Sequence, residues 1–224
     1  MQTRRIILAG GCCLAFGAAF ANTGVLLVTG TSISHLTGDI SKLSIDLARP
    51  DSVLFTDAVR VGTAAIAFTF GAILAGILIH HPSLDTARPY GRTISGIGGL
   101  FLASALLISR FPVAGIVLAA FGCGIQNSLA THYRGVILRT THLTGLITDF
   151  GITLGMKIRG HEIPSWKVIV PALLATSFFL GGLCSSAVFF WGSYNTIMIA
   201  GILYVAAGLG WSIAKHFCGG GAGE

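Results

Sequence analysis

Two His-Leu-Thr-Gly tetrads, His35-Leu36-Thr37-Gly38 and His142-Leu143-Thr144-Gly145, are the residues of this chain best suited to chemistry. In each, the imidazole can hydrogen-bond a solute or carry a proton near neutral pH. The threonine can cap a helix that begins at the motif, and the glycine lets backbone approach closely. Free N–H groups at such a helix start, with the positive end of its dipole, favour an anion or a carboxylate. A plainer reading stands beside this one: Ser34 or Thr141, the histidine and the threonine merely satisfy backbone where a helix breaks. Asn22 and Asn127 lie upstream in equivalent places, either as glue between helices or facing a solute. Asp39 follows the first tetrad directly, and Asp149 lies on a largely apolar stretch after the second. Arg139 and Arg134 are candidate partners for Asp149, in a structural ion pair or in proton or cation coupling.

Other chemistry finds little support in the sequence. There is no GxSxG, HExxH or P-loop pattern, so no catalytic residue is assigned and no enzyme activity is expected. His80-His81 abut Pro82 without a nearby third ligand, a poor metal site, and no metal or cofactor is expected. The cysteines, Cys12, Cys13, Cys123, Cys184 and Cys218, form no CxxC pair and read as small buried hydrophobes.

The elements that must position these residues are membrane helices. Of 224 residues, 53% are hydrophobic and only 10% charged, whereas a soluble domain carries roughly 25% charged residues. The same numbers exclude a disordered chain. The formal net charge of +6 would suit nucleic acid, but the basic residues lie in short loops between apolar runs, the pattern of membrane orientation.

Six runs are long and apolar enough to cross a bilayer: Ile6 to Thr29, Ala58 to Ile79, Thr93 to Ser109, Val113 to Thr131, Val168 to Trp191 and Thr196 to Ala214. With the N-terminus inside, Arg4, Arg5, Arg88, Arg92, Arg134, Arg139, Lys157, Arg159, Lys167 and Lys215 are cytoplasmic. Lys42, Arg49, Arg60 and Arg110 lie opposite, an excess that obeys the positive-inside rule with both termini cytoplasmic. Met1 to Ala21 has the outline of a cleavable signal peptide, yet it has a counterpart in mid-chain and is expected to stay.

That counterpart is an internal repeat. Phe16-Gly17-Ala18-Ala19-Phe20-Ala21-Asn22 returns as Phe121-Gly122-Cys123-Gly124-Ile125-Gln126-Asn127, shifted by 105 residues. Ser34-His35-Leu36-Thr37-Gly38 returns at a shift of 107, and Gly71 aligns with Gly181 at 110. Three blocks in one order point to duplication. The apolar spacing after each tetrad is helical, but each helix is too short to span upright. Both are therefore read as interfacial or re-entrant. The alternative, in which they span, gives eight crossings and parallel halves; the charges on the first short helix argue against it. The fold expected is an all-α membrane protein of six transmembrane helices, as two inverted three-helix repeats, each with one short helix. Residues 1–110 form repeat 1, with its short helix at 37–49, and residues 111–217 form repeat 2, with its short helix at 144–158. Residues 218–224 are a glycine-rich tail.

The segment GIQNSLATHYRGVILRTTHLTGLITDFGITLG, Gly124 to Gly155, resembles the signature stretch of the YoaK family, uncharacterised bacterial membrane proteins grouped as a domain of unknown function. SISHLTGDISKLSIDLA resembles that family's first block. The resemblance implies a multi-pass protein of the bacterial inner membrane and no assigned activity. Two departures stand out: Asn22, where the family commonly has an acid nearby, and Asp39, where it often has Asn. The expected function is a secondary transporter or facilitator for a small polar or anionic solute. Its competitors are a non-transporting membrane module and, third, a membrane enzyme acting on lipid or quinone. The bilayer and an unidentified solute are the expected partners, a second copy of the chain is open, and nucleic acid is not expected.

Overall fold

A computed structural model describes residues 2–48, 52–78, 90–129, 132–133, 136–137, 140–192 and 195–219. The chain runs α1 (Gln2–Thr29), α2 (Leu36–Ala48), α3 (Ser52–Leu78), α4 (Tyr90–Leu107), α5 (Pro112–Ser128), α6 (Leu143–Ile158), α7 (Trp166–Gly192) and α8 (Thr196–Gly219). The one addition to an all-α fold is a two-residue ladder, β1 (His132–Tyr133) against β2 (Val136–Ile137), in the link after α5. It follows the fourth apolar run, Val113 to Thr131, whose last two residues lie outside the described residues.

Local chemistry sets most helix ends. Gly30, at φ +71°, closes α1 in the left-handed conformation that glycine tolerates, and its N–H bonds Leu26 O at 2.8 Å. Pro112 opens α5, where its missing N–H costs nothing. Gly160, at φ +88°, ends α6; its N–H bonds Lys157 O and that of His161 bonds Met156 O, a two-bond closure of the last turn. Asn195 caps α8 by accepting from Met198 N–H at 3.1 Å.

Among the described residues, four helices are long and apolar enough to cross a membrane: Ile6–Thr29, Phe55–Leu78, Trp166–Gly192 and Thr196–His216. The fourth and fifth helices, α4 and α5, have 18 and 17 residues, short of the roughly 20 needed to span upright. They form a hairpin through the tight link at Ile108 to Phe111, tied by Ser104 Oγ donating to Gly115 O at 2.7 Å. The described residues thus form a helical, multi-pass type of membrane protein.

Packing inverts the soluble pattern. The buried interior is rich in small residues, including Ala15, Ala18, Ala19, Ala21, Ala64 and Ala75, around Phe101 and Ile116. Large side chains such as Phe70, Phe179, Phe190 and Trp191 point outward. Such a surface suits lipid, in which helices gain by close backbone approach.

That approach occurs at paired crossings. In the α1–α7 pair, a Cβ on Gly181 would strike the Phe16 carbonyl. In the α3–α5 pair, a Cβ on Gly71 would strike the Phe121 carbonyl. Phe16 and Phe121 are aligned in the repeat, as are Gly71 and Gly181, so equivalent residues exchange partners. The seam between α4 and α8 behaves likewise. Gly91 abuts Gly208 and Gly98 abuts Gly201, which makes the two helices antiparallel. Gly91 and Gly201, and also Gly98 and Gly208, are themselves 110 residues apart.

Burial departs from expectation at the cysteines. Cys123 is buried, but Cys13 and Cys184 are exposed on the apolar outer face, and none of the four described is in a disulfide. An apolar run in a lipid-facing helix does not imply a buried one. His80, His81, Arg134, Arg139 and residues 220–224 lie outside the described residues.

Candidate functional site at two short-helix starts

After Gly30 the chain does not continue outward. Asn22, two turns before the end of α1, holds the following link against the helix. Its Oδ1 accepts from Ser32 Oγ at 3.1 Å, from Ile33 N–H at 2.9 Å and from Ser34 N–H at 3.1 Å. Asn22 is 4% exposed and Ile33 fully buried, so without the amide these N–H groups would be buried unpaired, at about 1–3 kcal/mol each. The link therefore lies about 10 Å back along α1, since seven residues separate Asn22 from Thr29. This places the start of α2 back beside the bundle.

Ser32 is the hub. Besides donating to Asn22, its Oγ accepts from His35 N–H at 3.0 Å, and it lies beside the Asp39 carboxyl. His35, half-buried, stacks edge-on against Phe178 in the middle of α7, with ring centroids 5.3 Å apart.

The second half repeats the plan. Asn127, near the end of α5, accepts from Thr141 Oγ1 at 2.7 Å, and Thr141 is the sequence counterpart of Ser34. His142 is the N-cap residue of α6, with no side-chain cap hydrogen bond. The helices begin at Leu36 and Leu143, so Thr37 and Thr144 lie within the first turns and do not cap them. Capping was expected from residue type. The histidine occupies the boundary instead, because the link folds back one residue earlier.

Electrostatics link the halves. Burial lowers the affinity of the His35 imidazole for a proton, the Asp39 carboxylate partly restores it, and His142 lowers it further. His35 and His142, one from each half, therefore lie within electrostatic reach of each other. Asp39 is pushed above the usual carboxylate range by burial, against opposing contributions from Ser32, His35 and Lys42. Around this pair, Thr37, Gly38, Thr144 and Gly145 are exposed. A Cβ on Gly38 would meet nothing within 4 Å, and one on Gly145 would only touch His142 Cβ at 4.0 Å. Packing within the chain does not require either glycine.

The remaining candidates are apart from this cluster or only partly visible. Asp149 is exposed on α6, and its expected partner Arg139 falls outside the described residues. Asp57 pairs with Arg60, three residues on, at 3.6 Å and also with Lys42 of α2 at 3.3 Å. Lys42 of α2 thus reaches across to α3. A groove of about 460 Å³ between α3, α4 and α5, lined by residues such as Ile66, Phe70, Leu100 and Val117, is wholly apolar. Among the described residues no group of three potential metal ligands occurs.

Sequence reading overlooked Ser32, Phe178 and a polar insertion in the core. Gln126 Nε2 donates to Leu14 O at 2.9 Å, tying α5 to α1, beside the buried Tyr204. The run Thr31-Ser32-Ile33-Ser34 after Gly30 was a usable signal, since short hydroxyls beside a glycine satisfy a turning backbone.

No curated protein and no solved structure matches the chain. One family, described as a protein of unknown function (DUF1275), matches residues 10–210. With both short-helix starts and most of α8 inside that match, this helical, membrane-type chain belongs to the DUF1275 family of unknown function.

Proposed function

We propose that this chain is a secondary transporter or facilitator for a small polar or anionic solute, with six crossings built as two inverted repeats. The observation that carries it is that His35 and His142, at the starts of two short helices, lie within electrostatic reach of each other. First-turn N–H groups there lack intrahelical acceptors and carry the positive end of the dipole, which suits an anion. Broken helices meeting between repeats are a recurrent way to build such a site.

The reciprocal glycine contacts support the repeat. When two equivalent helices, α4 and α8, pack antiparallel, the two-fold relating them lies across the helices, which turns one half over relative to the other. Eight crossings would make α4 and α8 parallel. The reading includes a bacterial inner-membrane location with both termini cytoplasmic, and no catalysis.

Uptake into proteoliposomes tests the site. The His35→Ala and His142→Ala variants are expected to lose uptake at least tenfold for whichever solute the parent protein moves. Unchanged uptake would end the assignment. One observation favours a non-transporting module instead: the short helices expose Ile40, Ile45, Leu47, Ile147, Ile152 and Ile158, a surface open to a protein partner as well as to lipid. That reading predicts one stoichiometric partner and wild-type partner binding in both histidine variants.

A further inference from the structure

The first short-helix start contains a polar group that the second lacks. Asp39 sits in the first turn of α2, where an acid is ordinarily favoured by the dipole and by solvent. Here one carboxyl oxygen, Oδ2, has no exposed surface and no hydrogen-bond donor among the described residues. Ser32, the neighbour available to the carboxyl, has its hydroxyl proton directed to Asn22 Oδ1 and a lone pair occupied by His35 N–H. Ser34 Oγ, in the same buried link, is likewise without a partner. An ionised carboxylate gains little in such surroundings, whereas a protonated one becomes a donor and can use the acceptor capacity beside it.

We propose that Asp39 is a proton-binding carboxyl whose protonation prepares the α2 start for an anion. The O–H bond forms on the carboxyl with a proton taken from water, and the site loses one negative charge. In the transporter reading, on which this consequence rests, the proton is the coupling ion and enters together with an anionic solute. An ionised Asp39 would repel that solute from the same helix start. The position corresponding to Asp39 in α6 is Leu146, so the second short-helix start carries no such carboxyl.

The charged groups around it act in a definite way. Burial raises the affinity of Asp39 for a proton, while His35 and Lys42 oppose it. Lys42 is itself bridged to Asp57 on α3, next to Arg60. From the α6 side His142 bears on His35, and α7 presents Phe178, which is uncharged. Raised above its ordinary value, the carboxyl is neutral over a pH range in which an exposed aspartate is ionised.

Infrared pH-difference spectroscopy on the purified full chain reads this directly and needs no solute. The wild type is expected to show a protonated-carboxyl stretch that titrates above the ordinary aspartate range. Asp39→Asn should remove it, Asp39→Glu should keep it at a shifted frequency, and Asp46→Asn, altering the buried aspartate of α2 whose Oδ2 is likewise without a partner among the described residues, should leave it intact. Absence of the band in wild type, its persistence in Asp39→Asn, or its loss in Asp46→Asn would overturn the proposal. Because the readout is protonation, it stands or falls independently of any uptake measurement.

Discussion

At the start of α2 an asparagine oxygen gathers three donors, while at the start of α6 its counterpart gathers one among the described residues. Both asparagines come from aligned positions, and both hold a link that leads into a short helix. Yet His35 is half-buried on an aromatic ring with a carboxyl one turn on, and His142 is exposed with leucine at that place. The difference teaches that matching residues hold both links while the chemistry around them differs. A site shared between them would have one titrating side and one mainly hydrogen-bonding side.

The largest expected effect tests the correspondence of the two halves. Replacing Gly71 or Gly181 by Leu drives a side chain into a facing carbonyl, Phe121 or Phe16, which cannot move without its helix. Both variants should lose about 3 kcal/mol or more, the upper range of overpacking, and fail to give monodisperse protein in detergent. A large effect at one glycine and none at the other would break the correspondence.

Next come the asparagines, which should separate the halves. Asn22→Ala orphans two buried N–H groups and a hydroxyl and should cost about 3 kcal/mol, whereas Asn127→Ala, losing one described bond, should cost about 1 kcal/mol. Thermal unfolding in detergent measures both. Equal losses would mean that the second link depends on its asparagine as heavily as the first.

A smaller effect concerns His35. Its proton affinity is lowered, so it titrates below the ordinary histidine value of 6.5. The unfolded chain then binds the proton more readily, and the stability from burying the neutral ring is complete above that value and lost as pH falls through the folded one. In NMR titrations His142→Ala should raise the His35 midpoint and Asp39→Asn should lower it further. No movement in His142→Ala would separate the two helix starts.

How much of this was legible in the sequence depends on what left a pattern. Phe16, Phe121, Gly71 and Gly181 repeat in order, and they proved to be the residues at the reciprocal crossings. The short helices could be placed to within a residue or two from apolar spacing. The return of residues 31–35 along α1 left no periodic trace, because it depends on one amide meeting backbone donors ten and more residues away. The capping error at Thr37 and Thr144 has that origin. Neither could Tyr204 and Gln126 be anticipated: their counterparts are Ile94 and Ala21, so comparison of the halves conceals them.

The antiparallel glycine seam of α4 and α8 has a consequence for ancestry. A helix that can lie against its own counterpart, Gly91 to Gly208 and Gly98 to Gly201, is a self-complementary surface. Under the proposed duplication, a gene of half this length would already have encoded a two-fold dimer, with fusion only making the pairing permanent. Once both copies shared one chain, each could drift separately, and an acid could arise at Asp39 without being imposed on its twin.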